Sequence, residues 1–181
     1  MTFERYGASR PLTGEPLAQV LSLLEDSFPE TERRATPAQR RMLEKGEIGA
    51  LAARNEDGTL AAILTMWPLE DALFLEHFAV SSALRSQGLG GKILEELKSQ
   101  TDCPLVLEAE PPETDWARRR LGFYARHGWA AQEDFPYVQP PYRAGGESLP
   151  LYLLSCPAFS SREQAERTAR EIHRTVYKTT R

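Results

Sequence analysis

Apolar positions along the chain recur with two periods, one typical of helices and one typical of strands. Between residues 15 and 28 the apolar side chains lie three or four positions apart, which predicts an amphipathic helix that Pro29 ends. Further helices are predicted over residues 37–44, from Gly91 to about residue 100, from Thr114 to about His127, and beyond residue 160, and Thr114 is predicted to cap its helix. Apolar runs predict strands over residues 2–7, 48–53, 60–67, 72–80, 105–109, 129–133 and 149–155.

The order of these elements predicts a mixed sheet. The turn Asn55-Glu56-Asp57-Gly58 favours a hairpin, which makes its two flanking strands antiparallel. The strand at 72–80, the helix after it and the strand at 105–109 form a right-handed crossover, so these two strands should be parallel. The predicted fold class is α/β (α+β), with a mostly antiparallel central sheet of about six or seven strands, flanking helices and a C-terminal helix.

Length and composition predict one domain. The chain has 181 residues, a mass of 20.4 kDa and 41% hydrophobic residues, which is enough for one core. We expect this domain over residues 1–158 and a C-terminal helical extension over residues 159–181, with Ser160 and Glu163 as a capping box. The extension has one apolar face, formed by Ala165, Ala169, Ile172 and Val176. That face predicts docking on the chain's own domain or, as the alternative, an oligomer contact in a homodimer.

Charge and composition exclude several function classes. A net charge of −4 argues against a nucleic-acid partner, because phosphate binders usually carry a basic surplus. No signal segment or apolar run of roughly 20 residues is visible, so we expect no membrane partner and a cytoplasmic location. Two cysteines, Cys103 and Cys156, are too few for a disulfide framework. The histidines lack metal-ligand spacing, so no metal is expected.

A glycine-rich loop, Arg85-Ser86-Gln87-Gly88-Leu89-Gly90-Gly91-Lys92, joins the predicted strand that ends at Val80 to the following helix. Glycines at such a turn expose backbone N–H groups, and the helix start adds roughly half a positive charge, so the loop favours an anion such as pyrophosphate. A dinucleotide fingerprint would need glycine at position 93, which is Ile93, and a P-loop would need glycine at position 86 and Ser or Thr after the lysine.

The remaining pattern, Arg-x-x-Gly-x-Gly, resembles the GNAT superfamily of acetyl-CoA-dependent N-acetyltransferases. The strand Leu73–Val80 before the loop and the block from Phe123 to Trp129 after it are similar to the pre-loop strand and the acid-bearing helix end of that family. By element order the resemblance runs from the first strand to the 150s, although only these two blocks carry specific motif signal. It implies acetyl-CoA as cosubstrate, no metal, and a parallel pair of strands that splays in the middle of the sheet.

The resemblance also implies roles for individual residues. Backbone N–H groups of the pre-loop strand would bind the pantetheine arm and polarise the thioester; by this match they belong to Phe78, Ala79 and Val80. The pyrophosphate cradle would consist of Arg85, Gln87, Gly88, Leu89, Gly90, Gly91 and Lys92. Tyr124 occupies the general-acid position, and a phenol suits this task because its pKa of about 10 is close to that of a leaving thiol.

One departure from the family pattern concerns the helix before Tyr124. Many members carry Asn seven residues before this tyrosine to bond the cofactor, whereas this chain has Ala117, followed by three arginines, Arg118 to Arg120. Those arginines either contact the phosphates of the cofactor or form a solvated helix face.

Two glutamates are candidates for the general base. Glu76 lies in the middle of an apolar strand, where burial would raise its pKa toward a useful value. Glu108 lies on the strand after the crossover, where several family members that acetylate protein N-termini carry their base. For each glutamate the alternative role is a salt bridge or an exposed edge carboxylate. The sequence does not decide which of the two glutamates is the base.

The leading functional hypothesis is direct transfer of acetyl from acetyl-CoA to a primary amine in a ternary complex, because no cysteine is placed to carry an acyl-enzyme. The alternative is a non-catalytic acyl-CoA sensor or interaction module. Loop carboxylates hint at a cationic small amine or a peptide N-terminus as acceptor; they are Glu30, Glu32, Glu70 and Asp71. The aromatic side chains of residues 134–146 are interpreted equally as core or as substrate contacts.

Overall fold

The computed structural model describes residues 1–85 and 87–179, so Ser86 of the glycine loop and Thr180 and Arg181 of the extension lie outside the described residues. The described helices are Gly14–Ser27 (α1), Thr36–Glu44 (α2), Leu89–Ser99 (α3), Asp115–Arg126 (α4) and Arg162–Thr175 (α5). The described strands are Thr2–Tyr6 (β1), Gly49–Arg54 (β2), Leu60–Pro68 (β3), Leu73–Val80 (β4), Leu105–Ala109 (β5), Ala130–Ala131 (β6), Tyr137–Gln139 (β7) and Leu149–Cys156 (β8).

The chain divides into two compact units. The first unit contains residues 1–68 and 76–102, and the second contains residues 69–75 and the residues from 103 onward. The boundary falls inside β4, whose first three residues belong to the second unit and whose last five belong to the first.

The first unit is built on antiparallel pairing. β1 pairs with β2 from Thr2 opposite Arg54 to Tyr6 opposite Ala50, and β2 pairs with β3. Nearly every residue of β2 and β3 is buried, which requires cover on both faces of these strands and explains their continuous apolar runs. The buried stripes of α1 and α3 supply cover, since both helices contact β3.

The second unit contains the parallel pair. Leu73–Leu75 of β4 lies parallel to Leu105–Leu107 of β5, as the crossover argument predicts. β5 then pairs antiparallel with β8, which also pairs with β6 and β7. Helix α4 contacts β5 and β6. Helix α5 buries the predicted apolar face, Ala165, Ala169, Ile172 and Val176.

The mixed, mostly antiparallel sheet with a parallel pair is confirmed, with one strand more than the predicted six or seven. The described residues form eight strands because the Pro-rich segment 134–146 contributes β7. Tyr137 is only 3% exposed and its backbone pairs with Leu151, so this segment is held on β8 rather than forming only an extended connection. Across residues 1–85 and 87–179, no helix has both the length and the apolar character needed to cross a bilayer.

Two helix caps were predicted from side-chain chemistry. The Thr114 hydroxyl accepts a hydrogen bond from the Ala117 N–H at 3.1 Å, which confirms it as the cap of α4. The cap of α5 was predicted one residue too early. Ser161 rather than Ser160 caps this helix, and its hydroxyl accepts from the Gln164 N–H at 3.2 Å.

Gly46, just after α2, lies close to the backbone of Gly7 and Ala8 in the first unit. Its φ is +67°, and a Cβ at this position would lie 2.6 Å from the Ala8 Cα. Gly46→Ala therefore combines left-handed strain with a backbone clash, and we expect it to lower the free energy of unfolding by about 3 kcal/mol.

The matched control for Gly46 is Gly58→Ala. Gly58 has a φ of +83° but open space around a Cβ, so only the strain of about 1–2 kcal/mol applies. Urea unfolding of both variants measures the difference. Equal losses would show that the approach of Ala8 to Gly46 contributes nothing.

Candidate functional site

The predicted pyrophosphate loop leads into the first turn of α3. Gly88 is the residue before the helix and has a φ of +73°, a conformation that favours glycine. Glycine has no side chain to cap a helix, so the first N–H groups of α3 are not satisfied by their own N-cap residue. Buried Leu89, Ile93 and Leu94 anchor the helix, and Arg85, Gln87 and Lys92 are exposed. The local geometry therefore presents backbone donors together with two nearby cationic side chains.

The end of β4 orients its backbone N–H groups alternately. The Ser81 N–H donates to the Ala61 carbonyl at 2.9 Å, and the His77 N–H donates to the Thr65 hydroxyl on β3 at 3.2 Å. Because N–H directions alternate along a strand, those of Phe78 and Val80 point away from β3. These are two of the three residues that the sequence assigns to the pantetheine arm.

Glu76 lies in a buried ion pair of the first unit. Its side chain is 0% exposed, the Arg34 guanidinium donates to its Oε1, and the Trp67 indole N–H donates to its Oε2 at 3.0 Å. The Arg34 Cζ also lies 4.9 Å from the Trp67 ring centroid. Burial disfavours the charged form, but Arg34 and His77 outweigh it and hold the pKa of Glu76 at about 2. The expectation of a raised pKa for Glu76 is wrong, because a cation accompanies the buried carboxylate.

Glu108 has different surroundings in the second unit. The Tyr137 hydroxyl donates to Oε1 of Glu108, and the Tyr177 hydroxyl donates to Oε2 at 2.6 Å. Burial, followed by the neighbouring Glu108, raises the pKa of Tyr137 well above its usual range. Burial, followed by Tyr142 and then Glu108, does the same for Tyr177. Both phenols are therefore neutral donors at neutral pH.

Tyr124 lies in the last turn of α4 and is buried. Its ring meets the Trp129 ring edge-on, with the ring centroids 5.8 Å apart, and it also contacts Phe123. Burial raises the pKa of Tyr124, and Arg120 only partly opposes this shift. The side chain is therefore protonated at neutral pH, as a general acid must be.

Comparison with known proteins matches residues 17–129 to the model of the "Acetyltransferase (GNAT) family". This range covers more than half of the chain and contains both motif blocks. The chain belongs to the GNAT acetyltransferase family.

Individual relatives agree with this assignment. A solved structure from Bacteroides thetaiotaomicron, named as an acetyltransferase of the GNAT family, is 30% identical with a TM-score of 0.87, and the match covers 99% of this chain and 100% of that one. The protein YjbC of Bacillus subtilis (strain 168), an acetyltransferase by name, is 26% identical over 117 residues, or 64% of this chain. The matched part of the chain spans 60% of the length of that relative.

A solved aminoglycoside 6'-N-acetyltransferase in complex with coenzyme A has a TM-score of 0.60. It is 16% identical, and the match covers 86% of this chain and 96% of that one. This likeness shows the GNAT fold alone.

Two of the three arginines that follow Ala117 on α4 form hydrogen bonds or ion pairs with neighbouring groups. Arg118 donates to Asp115 at 2.6 Å and to the Pro112 carbonyl at 2.7 Å, and Arg120 pairs with Glu110 at 3.4 Å. Such contacts are what the solvated-face alternative predicts for this helix. Ala117 is buried.

The predicted site residues of this GNAT chain divide between the two units. The glycine loop, Phe78–Val80 and Glu76 belong to the first, whereas Glu108 and Tyr124 belong to the second. Glu70 and Asp71 line a groove of the second unit with a volume of about 660 Å³, together with residues of α5. Within the described part of the chain, no group of three or more His, Cys, Asp or Glu side chains is arranged to hold a metal ion.

Sequence reasoning missed Arg34, Tyr137 and Tyr177 as individual residues. Arg34 follows a polar loop and meets Glu76 across 42 positions, so no local pattern reveals the pair. The unusual aromatic content of residues 134–146 was a signal for Tyr137. Tyr177 gave no such signal, because it comes directly after Val176, the last apolar position of the predicted C-terminal extension.

The Arg34–Glu76 pair predicts a pH-dependent stability. Arg34→Leu leaves a buried carboxylate without this cation, so we expect a loss of about 3–5 kcal/mol at pH 7 by urea unfolding. Because folding lowers the Glu76 pKa from 4.5 to about 2, the stabilisation is complete above pH 4.5 and is lost as the pH falls toward 2. The difference between wild type and variant should therefore shrink over that range.

Arg162→Ala is the control for the buried pair. Arg162 pairs with Glu166 at 3.1 Å, but its side chain is 66% exposed, so we expect a change below about 1 kcal/mol. A loss of the same size from both variants would contradict a special contribution of the buried pair.

Proposed function

We propose that this GNAT protein transfers acetyl from acetyl-CoA directly to a primary amine, either a small molecule or a peptide N-terminus, in a cytoplasmic ternary complex. The first turn of α3 carries this proposal, because a glycine at φ +73° leads directly into helix N–H groups that this N-cap residue has no side chain to satisfy. Membership of the GNAT family supports acetyl-CoA as the donor.

On the donor side, the N–H groups of Leu89, Gly90 and Gly91 would bind the pyrophosphate, assisted by the positive charges of Arg85 and Lys92. A helix N-terminus binds phosphate well because its free N–H groups and its dipole act together. The outward N–H groups of Phe78 and Val80 would hold the pantetheine arm and stabilise the thioester oxygen as it becomes anionic.

For the general base, Glu108 is the better of the two sequence candidates. Glu76 has a pKa of about 2 and is engaged by Arg34 and Trp67, so it has little tendency to take a proton. Glu108 accepts hydrogen bonds from two phenols, those of Tyr137 and Tyr177. We propose that it removes the proton of the amine through a water, after which the amine nitrogen attacks the thioester carbonyl.

For the general acid, we propose Tyr124. Collapse of the tetrahedral intermediate breaks the carbon–sulfur bond, and the departing thiolate takes a proton from the Tyr124 hydroxyl. The phenolate then recovers a proton from solvent. The raised pKa of Tyr124 supports this role, because the group enters the reaction protonated.

The proposed chemistry is tested by thiol release from acetyl-CoA over a panel of amines. We expect Tyr124→Phe and Glu108→Gln each to lower kcat by about a hundredfold, the size typical of general acid and base catalysis. Glu76→Gln should act mainly on stability, because its carboxylate pairs with a buried arginine.

Tyr6→Phe is the matched control for these variants, because the Tyr6 hydroxyl donates to Glu4 in the first unit and has no proposed role. Unchanged kcat in Tyr124→Phe and Glu108→Gln would contradict the assigned roles. Tight acetyl-CoA binding without turnover of any amine would indicate a sensor instead.

If Arg85 and Lys92 bind the pyrophosphate, replacing them should affect only an acetyl donor that carries phosphates. The double variant Arg85→Ala with Lys92→Ala removes two cations, so we expect the KM for acetyl-CoA to rise about tenfold or more. Acetyl-N-acetylcysteamine carries the same thioester without phosphates, and its steady-state kinetics should be unaffected.

Lys98→Ala, near the other end of α3, is the control and should leave both donors unchanged. An equal effect of the double variant on both donors would show that Arg85 and Lys92 do not act through the phosphates.

A further inference from the structure

Two phenols from separate segments meet one carboxylate in the second unit. Tyr137 lies on β7, 29 positions after Glu108, and Tyr177 follows α5, 69 positions after it. Each hydroxyl donates to a different carboxylate oxygen. Both tyrosines lie beyond residue 129, where the match to the GNAT family model ends.

Further contacts fix these phenols. The Gln139 side-chain amide donates to the Tyr177 hydroxyl at 2.7 Å, and the Tyr142 ring centroid lies 5.1 Å from that of Tyr177. The His173 ring of α5 lies 5.4 Å from the Tyr137 ring, centroid to centroid. The donors to Glu108 are therefore held by β7, by the segment after it and by the chain around the end of α5.

The chemistry of a phenol suits the support of a base. A carboxylate has two oxygens, and here each accepts a hydrogen bond from a different phenol. A phenol that stays neutral and donates to a carboxylate stabilises its ionised form. The two phenols also restrict rotation of the carboxylate.

We infer that Tyr137 and Tyr177 are positioning residues, which hold Glu108 ionised and oriented as the base for the acceptor amine. This inference rests on the proposed function. It assigns the segment around β7 and the chain after α5 to the acceptor half of the reaction, where the sequence left core packing and docking as alternatives.

The test compares Tyr177→Phe with Tyr6→Phe in the full chain. The two variants are matched, because each removes one phenol–carboxylate hydrogen bond of 2.6 Å. For Tyr177→Phe we expect kcat/KM for the amine to fall about tenfold, the size of a lost hydrogen bond to a charged group. The KM for acetyl-CoA should stay unchanged.

The pH profile separates positioning from a purely structural role. Loss of a donor to the charged carboxylate raises its pKa, so the acidic limb of kcat/KM should move to higher pH in Tyr177→Phe. Titratable and charged groups near the two tyrosines are unchanged in this variant. Among them are Tyr142, which contacts Tyr177, and His173, which contacts Tyr137. Arg120 of α4 also keeps its ion pair with Glu110. Tyr137→Phe should shift the limb in the same direction, and Tyr6→Phe should not shift it.

The outcomes distinguish the inference from the proposed function. An impaired Glu108→Gln, together with Tyr137→Phe and Tyr177→Phe variants that keep the wild-type rate and pH profile, would overturn the positioning role alone. Full activity of Glu108→Gln, or a wild type that turns over no amine, would overturn the proposed function and this inference with it. Thermal unfolding of each variant confirms that the measured protein is folded.

Discussion

A carboxylate removed from water must be accompanied by a cation or by hydrogen-bond donors, and the first unit depends on how Glu76 meets this requirement. An isolated buried charge costs several kcal/mol even after the protein relaxes. Arg34 and Trp67 offset this cost, and they come from the segment before α2 and from β3. These contacts join three parts of the chain at the Glu76 side chain. Glu76 belongs to β4, the strand that leads into the glycine loop.

Two glutamates, Glu76 of β4 and Glu108 of β5, accept from different donors, and this difference bears on the roles proposed for them. Glu76 faces a guanidinium, an indole and His77, whereas both oxygens of Glu108 accept from neutral phenols. A full positive charge makes a carboxylate a persistent anion that takes up a proton only near pH 2. Hydrogen bonds from phenols orient a carboxylate and stabilise its ionised form. The same residue type is therefore held by an arginine and an indole in one strand and by phenols in the other, and we propose chemistry only for the second.

The parts that the sequence predicted depend on neighbouring residues. Gly88 with its glycine-rich surroundings, the cap at Thr114 and the crossover from β4 to β5 follow from local patterns, because turn geometry, capping and handedness act over short stretches of chain. The ionised state of Glu76 and the anchoring of β7 did not follow. Each depends on a side chain, Arg34 or Tyr137, that reaches its partner only after the chain has folded.

The sequence separation of these contacts also bears on the order in which the protein acquires its parts. The glycine loop lies between two consecutive elements, β4 and α3, so its geometry needs little loop closure. The donors of Glu108 arrive from 29 and 69 positions away, and such contacts form only after the entropy of closing long loops has been overcome. A folding chain is therefore expected to shape the turn at Gly88 before it completes the surroundings of Glu108, so that the proposed site for the donor forms before the proposed base is in place.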